Sequence, residues 1–195
     1  MDIRKFFPIV TDESKDINKT EIKTQETYEA FTDGSSINNG YKNCIGGIGV
    51  FFKDLSSNNI SRKITKEKYG KVSNNICEMD ACIVAINIII NNTKFQKNLD
   101  TIIIYTDSQY LINCITKWYN AWEKNNWKRK TRKGNLEQVK NINLIKEIKN
   151  LTNLYNIRFK HCRAHQKDPG KNSSLYKEWY GNMMADKLAN SGAKS

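Results

Sequence analysis

Residues 101–110, TIIIYTDSQY, run an aliphatic, β-branched stretch into a bare carboxylate, Asp107, before the pattern turns polar. Such a run reads as a strand buried on both faces, the mark of a parallel sheet covered by helices. An acid closing that strand is delivered to the carboxyl edge of the sheet, where sites gather in α/β folds. Residues 28–36, YEAFTDGSS, repeat the pattern, with Asp33 closing an apolar strand ahead of glycine and serine. Two acids in equivalent positions point to one shared site.

Working outward from these strands, GGIGVFF and NISRKIT predict two more strands joined by a turn at DLSSNN. SNNICEMDACIVAINIIINN predicts a buried helix over 74–91, capped by Ser73 or Asn74 and apolar almost all round. A helix is expected from Ser108 through Trp118 and Trp122, then a basic stretch from Lys124 to Lys133 and a helix over 136–154. The strand NIRFKH, a polar loop over 162–178 and a last helix, YGNMMADKLANSGA, complete the order. Early strands followed by alternating helix and strand predict a mixed α/β sheet covered by helices.

The chain has 195 residues, enough for one ordinary domain of roughly 100 to 200 residues. Its net charge of +12 and pI near 9.4 favour a polyanionic partner. No apolar run approaches the roughly 20 residues of a membrane span, and the N-terminus lacks a signal-peptide core. An intracellular protein, nuclear or cytoplasmic and without a membrane partner, is expected. Five cysteines without a CxxC pair fit a reducing compartment, and His161, Cys162 and His165 lack the remaining ligand of a structural zinc site. Residues 1–27 read as a flexible tail and 28–195 as the folded domain.

Two further acids join Asp33 and Asp107. Glu78 and Asp80 are the only charges on the helix over 74–91, and two residues apart means about 200° of rotation, so only one faces the sheet. Glu78 shares a stripe with Ala81, Cys82 and Ala85, whose small side chains permit close approach to a strand, and is preferred. Asp186 lies in MMADKLA beside the inward-facing Ala185, Leu188 and Ala189. Each acid alone has an ordinary explanation as a turn, cap or solvated residue. Together they would repel strongly without cations. Oxygen ligands without sulfur or imidazole select Mg²⁺ or Mn²⁺, and in a basic protein this points to two-metal phosphodiester chemistry, with ions roughly 3.5 to 4 Å apart.

At these residues the sequence resembles ribonuclease H of type 1, the cellular enzyme that cleaves RNA in an RNA/DNA hybrid. The likeness runs in order through FTDGSS, GGIGV, SNNICEMDACIVAI, YTDSQYLINCITKWYNAWEKNNWK, VKNINL and GNMMADKLA, and the NNG to GIGVFF spacing is similar to the eukaryotic form. The resemblance implies a ribonuclease H-like fold: a mixed five-stranded sheet, three antiparallel strands then two parallel, with helices on both faces and a basic handle. It implies a monomeric endoribonuclease leaving 5′-phosphate and 3′-hydroxyl ends and serving primer or hybrid removal in DNA replication and repair.

The same resemblance assigns residues. Asp33, Glu78, Asp107 and Asp186 would hold two Mg²⁺ ions, with Mn²⁺ as a substitute and Asp33 bridging. His165 in CRAHQ would carry a proton or aid product release. Asn74 and Asn75 match the RNA-reading pair. Lys71, Ser73 and Asn141 match a pocket for a DNA phosphate, Asn39 and Tyr110 match DNA-strand contacts, and Trp118 and Trp122 match the aromatics of a DNA-binding channel. From Lys117 to Lys140 eight Lys or Arg face two Glu, a net +6 beside that channel.

This chain departs from the pattern in three places. The family's GH is AH at Ala164 and His165, and the loop after it is long. No room is seen for a separate hybrid-binding domain, so low processivity is expected. The N-terminal MDIRKFF, with Ile3, Phe6 and Phe7, resembles over residues 1–8 the motif that docks on the sliding clamp, proliferating cell nuclear antigen, although its usual leading glutamine is missing. The fold also serves integrases, transposases and resolvases, and a hybrid-binding protein that does not cut is a second alternative. The SNN pair and the basic tryptophan-rich segment favour cleavage of hybrids.

Overall fold

The computed structural model describes residues 24–131 and 133–195. The clamp-like residues Ile3, Phe6 and Phe7 lie outside the described residues. Strands β1 (Thr27–Ile37), β2 (Ile45–Phe51) and β3 (Ile60–Ile64) form an antiparallel meander. β4 (Thr101–Thr106) then pairs parallel to β1, with Phe31 opposite Tyr105 and Thr32 opposite Thr106. Two short strands, β5 (Lys128–Lys130) and β6 (Leu136–Gln138), pair with each other as a separate antiparallel hairpin. β7 (Ile157–His161) adds parallel to β4 and completes a sheet of order β3-β2-β1-β4-β7.

Helices cover both faces. α1 (Lys66–Tyr69) is a single turn ending at Gly70 in the left-handed region, and α2 (Asn74–Ile90) follows. Ser73 Oγ accepts the Ile76 amide and caps α2. α2 packs on β1 and β2, burying Ile76, Met79, Ile83 and Ile86 against Ala30, Ile48 and Val50. α3 (Gln109–Asn113), a π-helical turn (Cys114–Trp118) and α4 (Tyr119–Lys124) follow one another without a break. α5 (Ile142–Leu154) sits against α2, and α6 (Tyr176–Lys194) covers the opposite face. At Gly49 α6 lies so near the sheet that a Cβ would stand 2.5 Å from the Ala189 nitrogen. Phe31 and Tyr105 stack at 4.4 Å beneath this helix.

The five-stranded mixed sheet matches the sequence expectation. The expected helix over 136–154 is corrected: Leu136–Gln138 is a strand, and the helix begins at Ile142. Residues 136–138 are exposed and gain their backbone bonds from Lys128–Lys130, so the apolar periodicity of a helix applies only from Ile142 onward. Likewise, the expected helix through Trp118 and Trp122 carries a π turn. Among the described residues no helix is long and apolar enough to cross a membrane.

Candidate metal centre and nucleic-acid groove

Asp33 lies on the central strand, Asp107 directly follows β4, and the parallel register of these strands brings both to one edge of the sheet. Glu78 arrives from α2, which crosses closely enough for the Gly34 amide to lower both the Asp33 and the Glu78 carboxyl against the effect of burial. Oxygens of Asp33, Glu78 and Asp107 all lie within 4.8 Å of one another. Asp186 stands outside this group on α6, near enough for its charge to raise both Asp33 and Asp107.

Burial pushes the Asp33 carboxyl up to about 8, and the charges of Asp107 and Asp186 add to the effect. Burial likewise holds Glu78 well above the ordinary carboxylate range, helped by Asp33 and Asp107. Asp107 is raised by burial, an effect offset in part by the nearby His165, Asn182 and His161. One oxygen of Glu78, Oε2, is buried with no hydrogen-bond partner among the described residues. An orphaned acceptor among crowded carboxylates is costly unless a cation completes it, so these residues fit a hard divalent ion.

The neighbouring Asp80 shows the contrast. It is equally buried, yet bonded by Lys68 at 2.7 Å and Arg62 at 3.1 Å, with Tyr69 Oη as a third partner. Its charge is already spent on structure.

His165 sits in a turn with φ of 49°, a left-handed backbone, and is exposed beside Asp107. The loop that carries it is tied to α6 by Trp179 Nε1, which donates to the Gln166 carbonyl at 2.9 Å.

A groove flanks the carboxylates. Asn74 Nδ2 donates to Glu78 at 3.3 Å, its side-chain oxygen accepts from Ser36, and its amide donates to Asn39 Oδ1 at 3.2 Å. Asn75, exposed one residue on, lines a pocket with Tyr110, Trp118, Trp122, Arg129, Lys130 and Lys140. The Trp118 ring lies 5.3 Å from Trp122 and 6.0 Å from Tyr110. The π turn sits between Tyr110 and Trp122 and alters the angular step of the helix there. Lys71 and Asn141 line a second pocket that Ser73 does not, the Ser73 hydroxyl serving the α2 cap instead. Asn141 itself is left-handed, with φ of 61°.

The sequence matches the RNase H family over residues 25–194. The chain belongs to the RNase H family. Ribonuclease H of Schizosaccharomyces pombe is 32% identical over 180 residues, covering 92% of this chain and 58% of that protein. Ribonuclease H of Actinobacillus succinogenes is 32% identical over 167 residues, covering 86% of this chain and 90% of that protein. The chain therefore spans little more than half the length of the first of these relatives. A solved foamy viral protease-reverse transcriptase in complex with an RNA/DNA hybrid shares the fold, with a TM-score of 0.59 and 19% identity, over 97% of this chain and 23% of that one.

Within this RNase H domain, several residues near the site are not singled out by the sequence reading. Asn182, buried on α6, stands near enough to the Asp107 carboxyl to lower it. Asn190 donates to Asp186 at 3.0 Å and accepts from Ser35 at 2.6 Å, linking α6 to β1. His161 Nε2 lies 3.2 Å from the Asp107 carbonyl oxygen, because β7 pairs His161 with Thr106. For Asn182 and Asn190 a signal existed in their spacing from Asp186: four residues before and after it, they fall on the same helical stripe. His161 could be found only from the register of β7.

Proposed function

We propose that this chain is an endoribonuclease that hydrolyses the RNA strand of RNA/DNA hybrids at a two-ion site, leaving 5′-phosphate and 3′-hydroxyl ends. The observation that carries this reading is the convergence of Asp33, Glu78 and Asp107 within 4.8 Å around an orphaned Glu78 oxygen. The names of the relatives agree with the activity, and the basic aromatic groove suits a polyanionic duplex.

Asp33, Glu78, Asp107 and Asp186 would hold the ions, Mg²⁺ with Mn²⁺ as a substitute. When bound, such ions lower the pKa of water and stabilise charge developing on the phosphate. The protein's own groups supply position. The Gly34 amide and Asn74 orient the carboxylates, Asn182 steadies Asp107, and His165 on its turn carries a proton toward the leaving oxygen. No protein nucleophile is required.

Asn74 and Asn75 read the RNA minor groove, where the 2′-hydroxyl distinguishes RNA from DNA. Lys71 and Asn141, with Ser73 at the α2 cap, hold a DNA phosphate, while Asn39, Tyr110, Trp118 and Trp122 guide the DNA strand. The cellular role we assign is removal of primers or hybrids during DNA replication and repair. Docking of residues 1–8 on the sliding clamp would serve that role; a peptide of residues 1–12 that binds the clamp no better than its Phe6→Ala, Phe7→Ala form would end this part of the proposal.

A substrate panel tests the whole. With Mg²⁺, the enzyme is expected to cut labelled RNA in a hybrid and to leave duplex DNA of the same sequence intact. Comparable cutting of the DNA duplex would overturn the assignment in favour of a DNA nuclease.

A further inference from the structure

We infer that the turn joining β1 to β2 carries a substrate subsite of its own, in which the Tyr41 ring packs on a polynucleotide strand running past the N-terminal end of α2 and Lys42 meets its phosphates. The inference rests on the hybrid-cleavage reading and extends it to a surface beyond the groove.

Tyr41 is 75% exposed, whereas tyrosines usually bury most of the ring. The exposure is not that of a loose loop. The Tyr41 amide donates to the Asn38 carbonyl at 3.1 Å, and the Tyr41 carbonyl accepts from the amide of the buried Cys44 at 3.1 Å. Asn38 and Gly40 hold the left-handed conformations that shape the turn, with φ of 56° and 92°. Lys66 on α1 donates its ammonium to the Lys42 carbonyl, tying the turn to the next element. A fixed backbone thus presents the ring outward.

Its surroundings identify the ligand. Two residues before Tyr41, Asn39 accepts the amide of Asn74, whose own side chain reaches Glu78, so the turn and the carboxylate site share one rim. Lys42, Lys66 and Lys71 are exposed on this side, against Glu67 as the one acid of α1. Ile37 and Ile45, paired across the base of the turn, are 37% and 36% exposed and leave apolar surface there. A flat amphipathic ring among ammonium groups suits a strand with stackable faces and regular negative charge, held without regard to sequence.

The test compares wild type with Tyr41→Ala on two hybrids, one long enough to cover both groove and turn and one truncated to fill the groove alone. On the long hybrid, Tyr41→Ala should raise KM and the dissociation constant about fivefold or more, the lower end for loss of an aromatic stack. The loss should fall on KM rather than kcat, shrink on the truncated hybrid, and be reversed by Tyr41→Phe or Tyr41→Trp. Lys42→Gln should flatten the salt dependence of binding to the long hybrid. Equal behaviour of Tyr41→Ala and wild type on the long hybrid would overturn the subsite alone. An equal loss on both hybrids would assign Tyr41 a structural part and overturn it too. A wild-type protein that neither binds nor cuts either hybrid would sink the hybrid-cleavage reading, and the subsite with it.

Discussion

A side-chain carbon at Gly34 would collide with the main-chain nitrogen of Glu78 and stand 2.6 Å from the carbonyl carbon of Cys77. The missing side chain is what lets α2 lie against β1 and bring Glu78 to Asp33. Gly34→Ala must therefore push the helix away, at a cost of about 1–3 kcal/mol from overpacking. Lower thermal stability is expected, together with weaker Mg²⁺ binding in calorimetry. A Gly34→Ala protein with wild-type metal affinity would show that the close approach is dispensable.

The crowded acids set a pH dependence. Asp33 rises from 3.8 to about 8 on folding, so its contribution to stability is complete below its unfolded pKa and is lost as pH rises through about 8. Glu78 and Asp107 shift in the same direction. The metal-free protein should melt at progressively lower temperature between about pH 4 and 9, and Mg²⁺ should restore most at the alkaline end. Asp33→Asn should flatten the slope and melt higher than metal-free wild type at alkaline pH. A melting temperature rising over this range would contradict the burial argument.

Glu78 and Asp80 divide site from scaffold. Glu78→Gln should abolish cleavage while keeping or raising metal-free stability, because it replaces a carboxyl whose charged form burial disfavours with a neutral group. Asp80→Asn should do the reverse. It strands Arg62 and Lys68, whose side chains are 48% and 50% exposed, so the penalty is discounted to about 2 kcal/mol from that of a fully buried pair. Denaturant melts and turnover on both variants provide the check.

The groove predicts a split between ring and charge. Trp118→Ala should weaken hybrid binding by about 1–3 kcal/mol with little change in salt slope. Replacing Arg129 or Lys130 by Gln should instead reduce the slope of log affinity against log salt by about 1 for each phosphate that is no longer neutralised. Binding titrations at several salt concentrations separate the two.

Much of this was legible in sequence because burial leaves a pattern. The runs at 28–33 and 101–106 read as strands, although β1 continues past Asp33 to Ile37, where GSSI pairs with β2, while Asp107 does follow the end of β4. Helical rotation lets only one of Glu78 and Asp80 face the sheet, and the small residues Ala81, Cys82 and Ala85 on its stripe favour Glu78. The hairpin of β5 and β6 left no such trace, since its strands are exposed and short and their side chains mostly polar. It is anchored from outside, by Val139 donating to the Trp127 carbonyl at 2.8 Å and by Lys146 over the Trp127 ring at 4.8 Å. The π turn at 114–118 sits in a sequence that reads as ordinary helix. His161 meets Asp107 only through the register of β7, which sequence periodicity does not specify. Tyr41 was passed over for the opposite reason: an exposed aromatic in a turn belongs to no periodic pattern.

The carboxylates act, on this account, as one metal site for cutting RNA in a hybrid. The most direct measurement is single-turnover cleavage of a labelled hybrid by wild type and by Asp33→Asn, Glu78→Gln, Asp107→Asn and Asp186→Asn, each with Mg²⁺ and with chelator. Cleavage is expected from wild type with Mg²⁺ only, with severe loss in all four variants even though each stays folded. Cleavage that survives chelation, or a wild-type rate in the Asp33, Glu78 or Asp107 variant, would contradict it.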